Sequence, residues 1–205
     1  MNRDLQRLSD EKFDLLVVGG GIYGAWTAYD AALRGFRVAL IEKADWASGT
    51  SSASSKLIHG GLRYLEQMHF GLVKGALDER KLLTRLGPHR VTPLRFLIPV
   101  YKNTRAGHFR LRMGLWLYDR LAGSNQPVDH HESLSSNDVT TRYPHLNPNG
   151  LAGGLTYGDC QTDDAQFVLE IVDGADSAGA AIANYVKATR FLLSGGRVAG
   201  ADTVD

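Results

Sequence analysis

The run Gly19-Gly20-Gly21-Ile22-Tyr23-Gly24 constrains this chain more than any other stretch. It follows Phe13 to Val18, a short apolar segment with β-branched residues at its end, which reads as a buried strand. It opens Ile22 to Arg34, an Ala-rich segment without proline, and Gly35 then stands where a helix commonly ends in a left-handed residue. Phe36 to Ile41 reads as a second buried strand, closed by Glu42. Strand, glycine turn, helix and strand in this order make one βαβ unit with parallel strands. The glycines at its first, third and sixth positions have separate roles, since Gly19 turns the chain, Gly21 lets backbone approach a pyrophosphate, and Gly24 lets helix pack on sheet. The helix start offers free N–H groups and a positive dipole end to phosphates. Glu42, eighteen residues after Gly24, is placed to accept hydrogen bonds from ribose hydroxyls. The expected dinucleotide site is therefore Gly19, Gly20, Gly21, Gly24 and Glu42, with Lys43 beside it. An acidic residue there disfavours a 2′-phosphate, so NADP is the least expected ligand; the unit alone does not separate FAD from NAD.

Composition narrows the remainder. With 205 residues, a net charge of +1 and 22% charged residues, the chain is globular in type and lacks the basic excess of a nucleic-acid binder. One cysteine, Cys160, excludes an internal disulfide and fits a reducing compartment. No stretch has the length of apolar sequence that a membrane-spanning helix needs. No metal site is expected. Thr50 to Ser55 is Ser-rich and by composition reads as a linker or a ligand-wrapping loop. Phe70 to Leu86 is predicted as a helix with Leu72, Val73, Ala76, Leu77, Leu83 and Leu86 on its inner face. Phe96 to Tyr101, carrying Pro99, is expected at a sheet edge. Arg105 to Leu121 mixes arginines with Met113, Trp116 and Tyr118, as in a helix lying on a membrane surface or a packed helix with solvated arginines. Ala122 to Gly154 is expected to be largely irregular. Asp163 should cap a helix running to about Ser177, with Phe167, Val168, Ile171, Val172 and Ala175 inward. Ala180 to Val186 is a candidate third parallel strand, and Thr189 to Val204 a hairpin about Ser194-Gly195-Gly196.

The run from Gly49 to Glu66, which contains Ser51-Ser52-Ala53-Ser54-Ser55-Lys56 and His59-Gly60-Gly61-Leu62-Arg63-Tyr64, closely resembles the signature of the FAD-dependent, quinone-linked glycerol-3-phosphate dehydrogenases. The likeness continues through Ala76-Leu77-Asp78-Glu79-Arg80, Gly87-Pro88-His89, Pro93-Leu94-Arg95-Phe96 and Gly114 to Asp119, and returns at Tyr157 to Ala165. The resemblance implies an α/β fold: a Rossmann-like FAD-binding domain of the FAD-linked oxidase type with an inserted substrate lobe, incomplete at its C-terminus. Residues 1–95 would be the first part of the FAD-binding domain, 96–163 a segment of the substrate lobe, and 164–205 the FAD-binding domain continued.

It further implies that FAD is the cofactor and that the Ser-rich loop is a flavin clamp rather than a linker. Thr50, Ser51, Ser55 and Lys56 would then meet pyrophosphate and ribityl oxygens. His59, Gly60 and Gly61 would stand near the isoalloxazine ring, with His59 tuning it. Arg63 would bind the substrate phosphate through its planar fork, with Tyr64 adding a hydroxyl; read without the resemblance, Arg63 could equally pair with Glu66. The implied reaction oxidises sn-glycerol 3-phosphate to dihydroxyacetone phosphate, with electrons passing to a quinone at the cytoplasmic face of a membrane. Oxygen as acceptor, a noncatalytic FAD-binding module and assembly into homo-oligomers remain open at this level.

Overall fold

The computed structural model describes residues 1–104 and 107–205; Arg105, the first arginine of the basic segment, lies outside the described residues. The chain divides into two compact units, residues 1–55 with 163–205, and residues 56–162. The first unit opens with α1 (Leu5–Asp10), β1 (Leu15–Val18), α2 (Ile22–Leu33) and β2 (Val38–Ile41). The second contains β3 (Leu57–Ile58), α3 (Arg63–Glu66), α4 (Phe70–Leu86), β4 (Thr92–Tyr101), α5 (His108–Ala122), β5 (Glu132–Ser135), α6 (Ser136–Arg142) and β6 (Leu151–Gln161). The chain then returns to the first unit with α7 (Asp164–Ser177), β7 (Ala181–Ala183), β8 (Lys187–Ser194) and β9 (Arg197–Val204).

In the first unit β1, β2 and β7 form a parallel sheet with β2 central, Leu15 opposite Val38 and Ala39 opposite Ala181. All four residues of β2 are buried, as a strand with a neighbour on each side requires. Helix α2 presents Ala25, Ala28, Ala31 and Ala32 to the core, where they meet Val168, Ile171, Val172 and Ala175 of α7. Small side chains on α2 let the two helices approach closely; a Cβ on Gly174 would already lie 3.1 Å from the Tyr29 ring. Asp163 accepts from the Gln166 N–H at 3.3 Å and caps α7 as expected. Gly35, at φ +85, follows the end of α2 in the left-handed region that favours glycine.

The N-terminal segment of residues 1–12, although polar and mixed in charge, is structured. Asp4 caps α1 by accepting the Arg7 N–H, and Leu5 and Leu8 pack with Ile41, Ala183 and Val186. Arg3 bridges to Ile182 in parallel, so the N-terminal segment covers part of the β7 edge. The hairpin β8–β9 forms as predicted, from Lys187 opposite Val204 to Ser194 opposite Arg197.

The second unit is built on antiparallel pairing to β6. Strand β4 lies along one side of it, from Thr92 opposite Gln161 to Tyr101 opposite Leu151, and β3 and β5 share its other side. Among the described residues β4 pairs on one side only, which is where Pro99 is tolerated. Because β3 and β4 both pair with β6, residues 56–95 pack in this unit, whereas the sequence division groups them with the dinucleotide unit. Two expectations hold only in part. Ala122 to Gly154 is irregular over 123–131 and 143–150 but contains β5 and α6, the latter capped by a reciprocal capping box between Ser135 and Asp138. On α4, Val73 and Leu77 are inward as predicted, but Leu72 and Leu86 are exposed and Arg80 takes a buried place instead. Helix α5 packs through Leu115, Tyr118 and Ala122, leaving Phe109, Met113 and Trp116 exposed.

Candidate cofactor site

The turn between β1 and α2 is fixed by backbone. Gly19, at φ +117, donates its N–H to the Ile41 carbonyl at 2.8 Å, tying the turn to the end of β2. Glu42, in the next position, accepts the Gly20 N–H through Oε2 at 2.6 Å and the Ala44 N–H through Oε1 at 2.8 Å. The structure thus brings Gly19, Gly20, Gly21, Gly24 and Glu42 together, as the spacing predicts. Each carboxylate oxygen keeps a second lone pair for a hydroxyl donor.

The glycines differ in what surrounds them. A Cβ on Gly24 would collide with the Gly19 carbonyl oxygen, and one on Gly20 with the Trp46 ring and with Glu42 Cβ. A Cβ on Gly21 would meet only Ser51 Oγ, at 3.4 Å, an ordinary contact. Gly19 and Gly21 are therefore the motif glycines with room before them, and Gly21, the cap residue of α2, brings no side chain of its own to the first turn. Bare backbone at a helix start with an open approach is what a pyrophosphate needs. Lys43 is exposed beside this site.

The Ser-rich segment is folded, contrary to its linker-like composition. Ser51 Oγ accepts the Ile22 N–H at 3.2 Å, so Ser51 stands at the start of α2. Ser52 Oγ donates to the Gly49 carbonyl at 3.0 Å, and Ser54 Oγ to Asp164 Oδ2 at 2.5 Å. Thr50, Ser55 and Lys56 are exposed. The segment is a set of turns fastened to the beginnings of α2 and α7.

The remaining predicted residues belong to the second unit. His59 is exposed, and its Nδ1 lies 2.9 Å from the Gly61 nitrogen. A backbone N–H can only donate, so Nδ1 is the acceptor and the neutral ring carries its proton on Nε2. Arg63 and Tyr64 are exposed on α3, and among the described residues Arg63 forms no ion pair with Glu66. Arg63 lines an open groove of about 520 Å³ with Leu62, Met68, Phe70, Met113 and Leu117.

Sequence reading passed over a buried group in the same unit. Arg80 Nη1 contacts Asp159 Oδ1 at 2.5 Å and donates to the Gly158 carbonyl at 3.1 Å, while Nη2 reaches Gln126 Oε1 at 2.8 Å. The Tyr118 hydroxyl lies 2.8 and 3.0 Å from the two oxygens of Asp159 and accepts the Gly60 N–H at 2.7 Å. Burial pushes the Asp159 carboxyl above its ordinary range, against the Tyr118 hydroxyl and Arg80, which lower it. Burial first, then the charge of Asp159, raises the Tyr118 phenol. The available signal was position: Arg80 stands three residues after Leu77 on the inner face of its helix, and Asp159 interrupts a glycine-rich apolar run.

A parallel sheet with a glycine turn bound to an acidic residue at the end of the second strand defines a dinucleotide-binding protein of Rossmann type. Residues 14–205 match the DAO family, FAD dependent oxidoreductase, and the chain belongs to that family. It is 41% identical over 201 residues to the aerobic glycerol-3-phosphate dehydrogenase of Staphylococcus epidermidis, covering 98% of this chain and 36% of that protein. Against the enzyme of the same name from Staphylococcus saprophyticus it is 42% identical over 184 residues, 90% of this chain and 33% of that one. The X-ray structure of the glycerol-3-phosphate dehydrogenase from Bacillus halodurans complexed with FAD superposes with a TM-score of 0.71 at 30% identity, over 98% of this chain and 34% of that one. The α/β FAD-binding fold expected from the resemblance is thereby shown. The chain spans about a third of the length of these relatives. Among the described residues no helix is long and apolar enough to cross a membrane.

Proposed function

We propose that this chain carries the cofactor-holding portion of an FAD-dependent glycerol-3-phosphate dehydrogenase, which oxidises the C2 alcohol of sn-glycerol 3-phosphate to dihydroxyacetone phosphate and delivers the electrons to a quinone. The observation that carries this reading is the identity of 41% across 98% of the chain with an aerobic glycerol-3-phosphate dehydrogenase. The open backbone before Gly21 supports it locally, because it fits a diphosphate.

In this reading the start of α2 binds the pyrophosphate through N–H groups and its dipole, with Gly19, Gly20 and Gly24 holding the turn in shape. Glu42 accepts from the adenosine ribose. Thr50, Ser51, Ser55 and Lys56 meet pyrophosphate and ribityl oxygens, and the following residues His59, Gly60 and Gly61 serve the isoalloxazine end. FAD, when bound, supplies the hydride acceptor that no side chain provides. His59 presents its Nε2–H as a hydrogen-bond donor. Arg63, free of an ion pair with Glu66, offers two parallel N–H groups to a phosphate, and Tyr64 a hydroxyl. The exposed face of α5 combines Phe109, Met113 and Trp116 with Arg110, Arg112 and Arg120, and the Arg120 guanidinium lies 5.9 Å from the Trp116 ring centre. Such a face suits peripheral binding to anionic lipid on the cytoplasmic side of a membrane, where a quinone is available.

The test is to reconstitute the chain with FAD, record the visible spectrum, and add sn-glycerol 3-phosphate without oxygen. Bleaching that is lost in Arg63→Ala while flavin binding persists supports the reading. A chain that binds no flavin defeats it. Flavin binding without bleaching favours a second reading, a module that holds FAD but does not turn over alone, which the share of the relatives' length covered by the chain also favours. Reoxidation of the reduced flavin by a quinone analogue rather than by oxygen separates dehydrogenase from oxidase.

A further inference from the structure

The most deeply buried charges of the second unit have no part in the reading above. Arg80 and Asp159 are paired with side chains only 1% and 3% exposed. Desolvating such a pair offsets most of its attraction, so stability alone is a weak reason for it. What the pair holds is Tyr118. The tyrosine hydroxyl has one proton, which it donates in a hydrogen bond to the carboxylate, and its oxygen is left to accept the Gly60 N–H at 2.7 Å. The bonds run in series from Arg80 on α4, through Asp159 on β6 and Tyr118 on α5, to the loop after β3. In a low-dielectric interior each polarises the next, so the carboxylate makes the hydroxyl oxygen a better acceptor. Sterics act at the same point: a Cβ on Gly60 would lie 2.6 Å from the Tyr118 hydroxyl and 2.6 Å from Leu77 Cδ2. The side-chain position of Gly60 is therefore filled by protein, and its N–H is spent inward.

We propose that Tyr118 is a positioning residue that clamps the backbone at Gly60 and thereby sets where His59 and Gly61 stand. The function of that loop at the isoalloxazine end rests on the reading above; the clamp itself rests on the contacts of the second unit. With Gly60 held, the Gly61 N–H is left to engage His59 Nδ1 at 2.9 Å, which leaves Nε2–H as the imidazole's outward donor. One buried hydroxyl thus governs two successive amides and the orientation of a ring.

Residue-resolved amide exchange tests the clamp in the unaltered chain. Gly60 lies outside every helix and strand, yet its N–H is expected to be protected to the level of β6 amides; exchange at the rate of an open loop overturns the proposal. In Tyr118→Phe, which keeps the ring and removes the hydroxyl, Gly60 exchange is expected to rise about tenfold or more, with the amides of α4 unchanged. Equal acceleration across the unit would mean general loosening and would overturn it. FAD added to both proteins gives the second readout. A bound-flavin spectrum or affinity altered in Tyr118→Phe supports positioning toward the cofactor, and identical spectra and affinities overturn that part. If the unaltered chain takes up no flavin, the functional reading fails, and the exchange results alone decide the clamp.

Discussion

Replacing Arg80 with methionine should destabilise the second unit strongly, and in a way that acid partly repairs. The substitution keeps an unbranched apolar stem but removes the guanidinium that touches Asp159, Gly158 and Gln126. Asp159, 2% exposed, then keeps the Tyr118 hydroxyl but loses its counter-charge. Breaking a buried pair from one side costs about 3–5 kcal/mol, a large share of the roughly 5–15 kcal/mol that holds a domain together. The sign of the pH effect follows from burial. Asp159 already has a folded pKa above its ordinary value, and Arg80 is one of the groups opposing that rise. Without Arg80 the rise grows. Between the unfolded and folded values the folded state binds more protons, so stability increases as pH falls through that window. Urea unfolding at neutral pH and at about pH 5, with amide exchange of β6 as the local probe, should give a large deficit that shrinks in acid. The double variant Arg80→Met/Asp159→Leu should recover much of the loss, since both charges are gone. A deficit below about 1 kcal/mol, or one indifferent to pH, would refute the view that Asp159 is a buried carboxylate dependent on Arg80.

Three further outcomes are expected. Gly24→Ala sets a Cβ against the Gly19 carbonyl oxygen and should lower the melting temperature of the first unit, whereas Gly21→Ala should melt as the parent does yet bind FAD less tightly; calorimetry and a flavin titration separate the two. Glu42→Gln replaces a charged acceptor of the Gly20 and Ala44 amides and should weaken FAD binding about tenfold or more, measured by quenching of flavin fluorescence. The hydrogen bond from the Arg37 side chain, then that from its backbone, lowers Asp14 from 3.8 to about 2. The stabilisation from this pair is present above pH 3.8 and lost as pH falls through about 2, and a carboxyl NMR titration of Arg37→Met should return Asp14 toward 3.8.

The first unit was legible because its determinants are local. Buried parallel strands are continuous apolar runs, Gly35 ends α2, and Asp163 caps α7, so each element announces its own limits. The core of the second unit was not legible for the opposite reason. Strand β6 contains Gly153, Gly154, Gly158 and Asp159, a composition that reads as loop, and it is a strand because β4 pairs along one side and β3 and β5 along the other. Arg80 was not recognised as a core residue because the carboxylate that receives it is 79 residues away in sequence. The local signal for α6, Ser135 with Asp138 three residues on, was present and went unused. The site divides along the same line: Gly19 to Glu42 follow from spacing, while the partner of Gly60 follows only from the packing of α5.

The motif glycines show how a ligand signature can be a packing signature as well. Gly20 is closed by Trp46 and Glu42, Gly24 by the Gly19 carbonyl, and Gly60 by Tyr118 and Leu77; each would be required even with no ligand bound. Gly19 has open space but needs glycine for its φ of +117, so among the motif glycines Gly21 is the one where neither packing nor backbone conformation accounts for the missing side chain. A substitution that destroys FAD binding at Gly24 or Gly60 therefore reports packing first and says little about contact with the cofactor. In the proposed reading the turn would meet a diphosphate with a backbone that packing has already shaped, and Glu42 would serve both ends at once: it fastens Gly20 from within and keeps lone pairs free for a ribose.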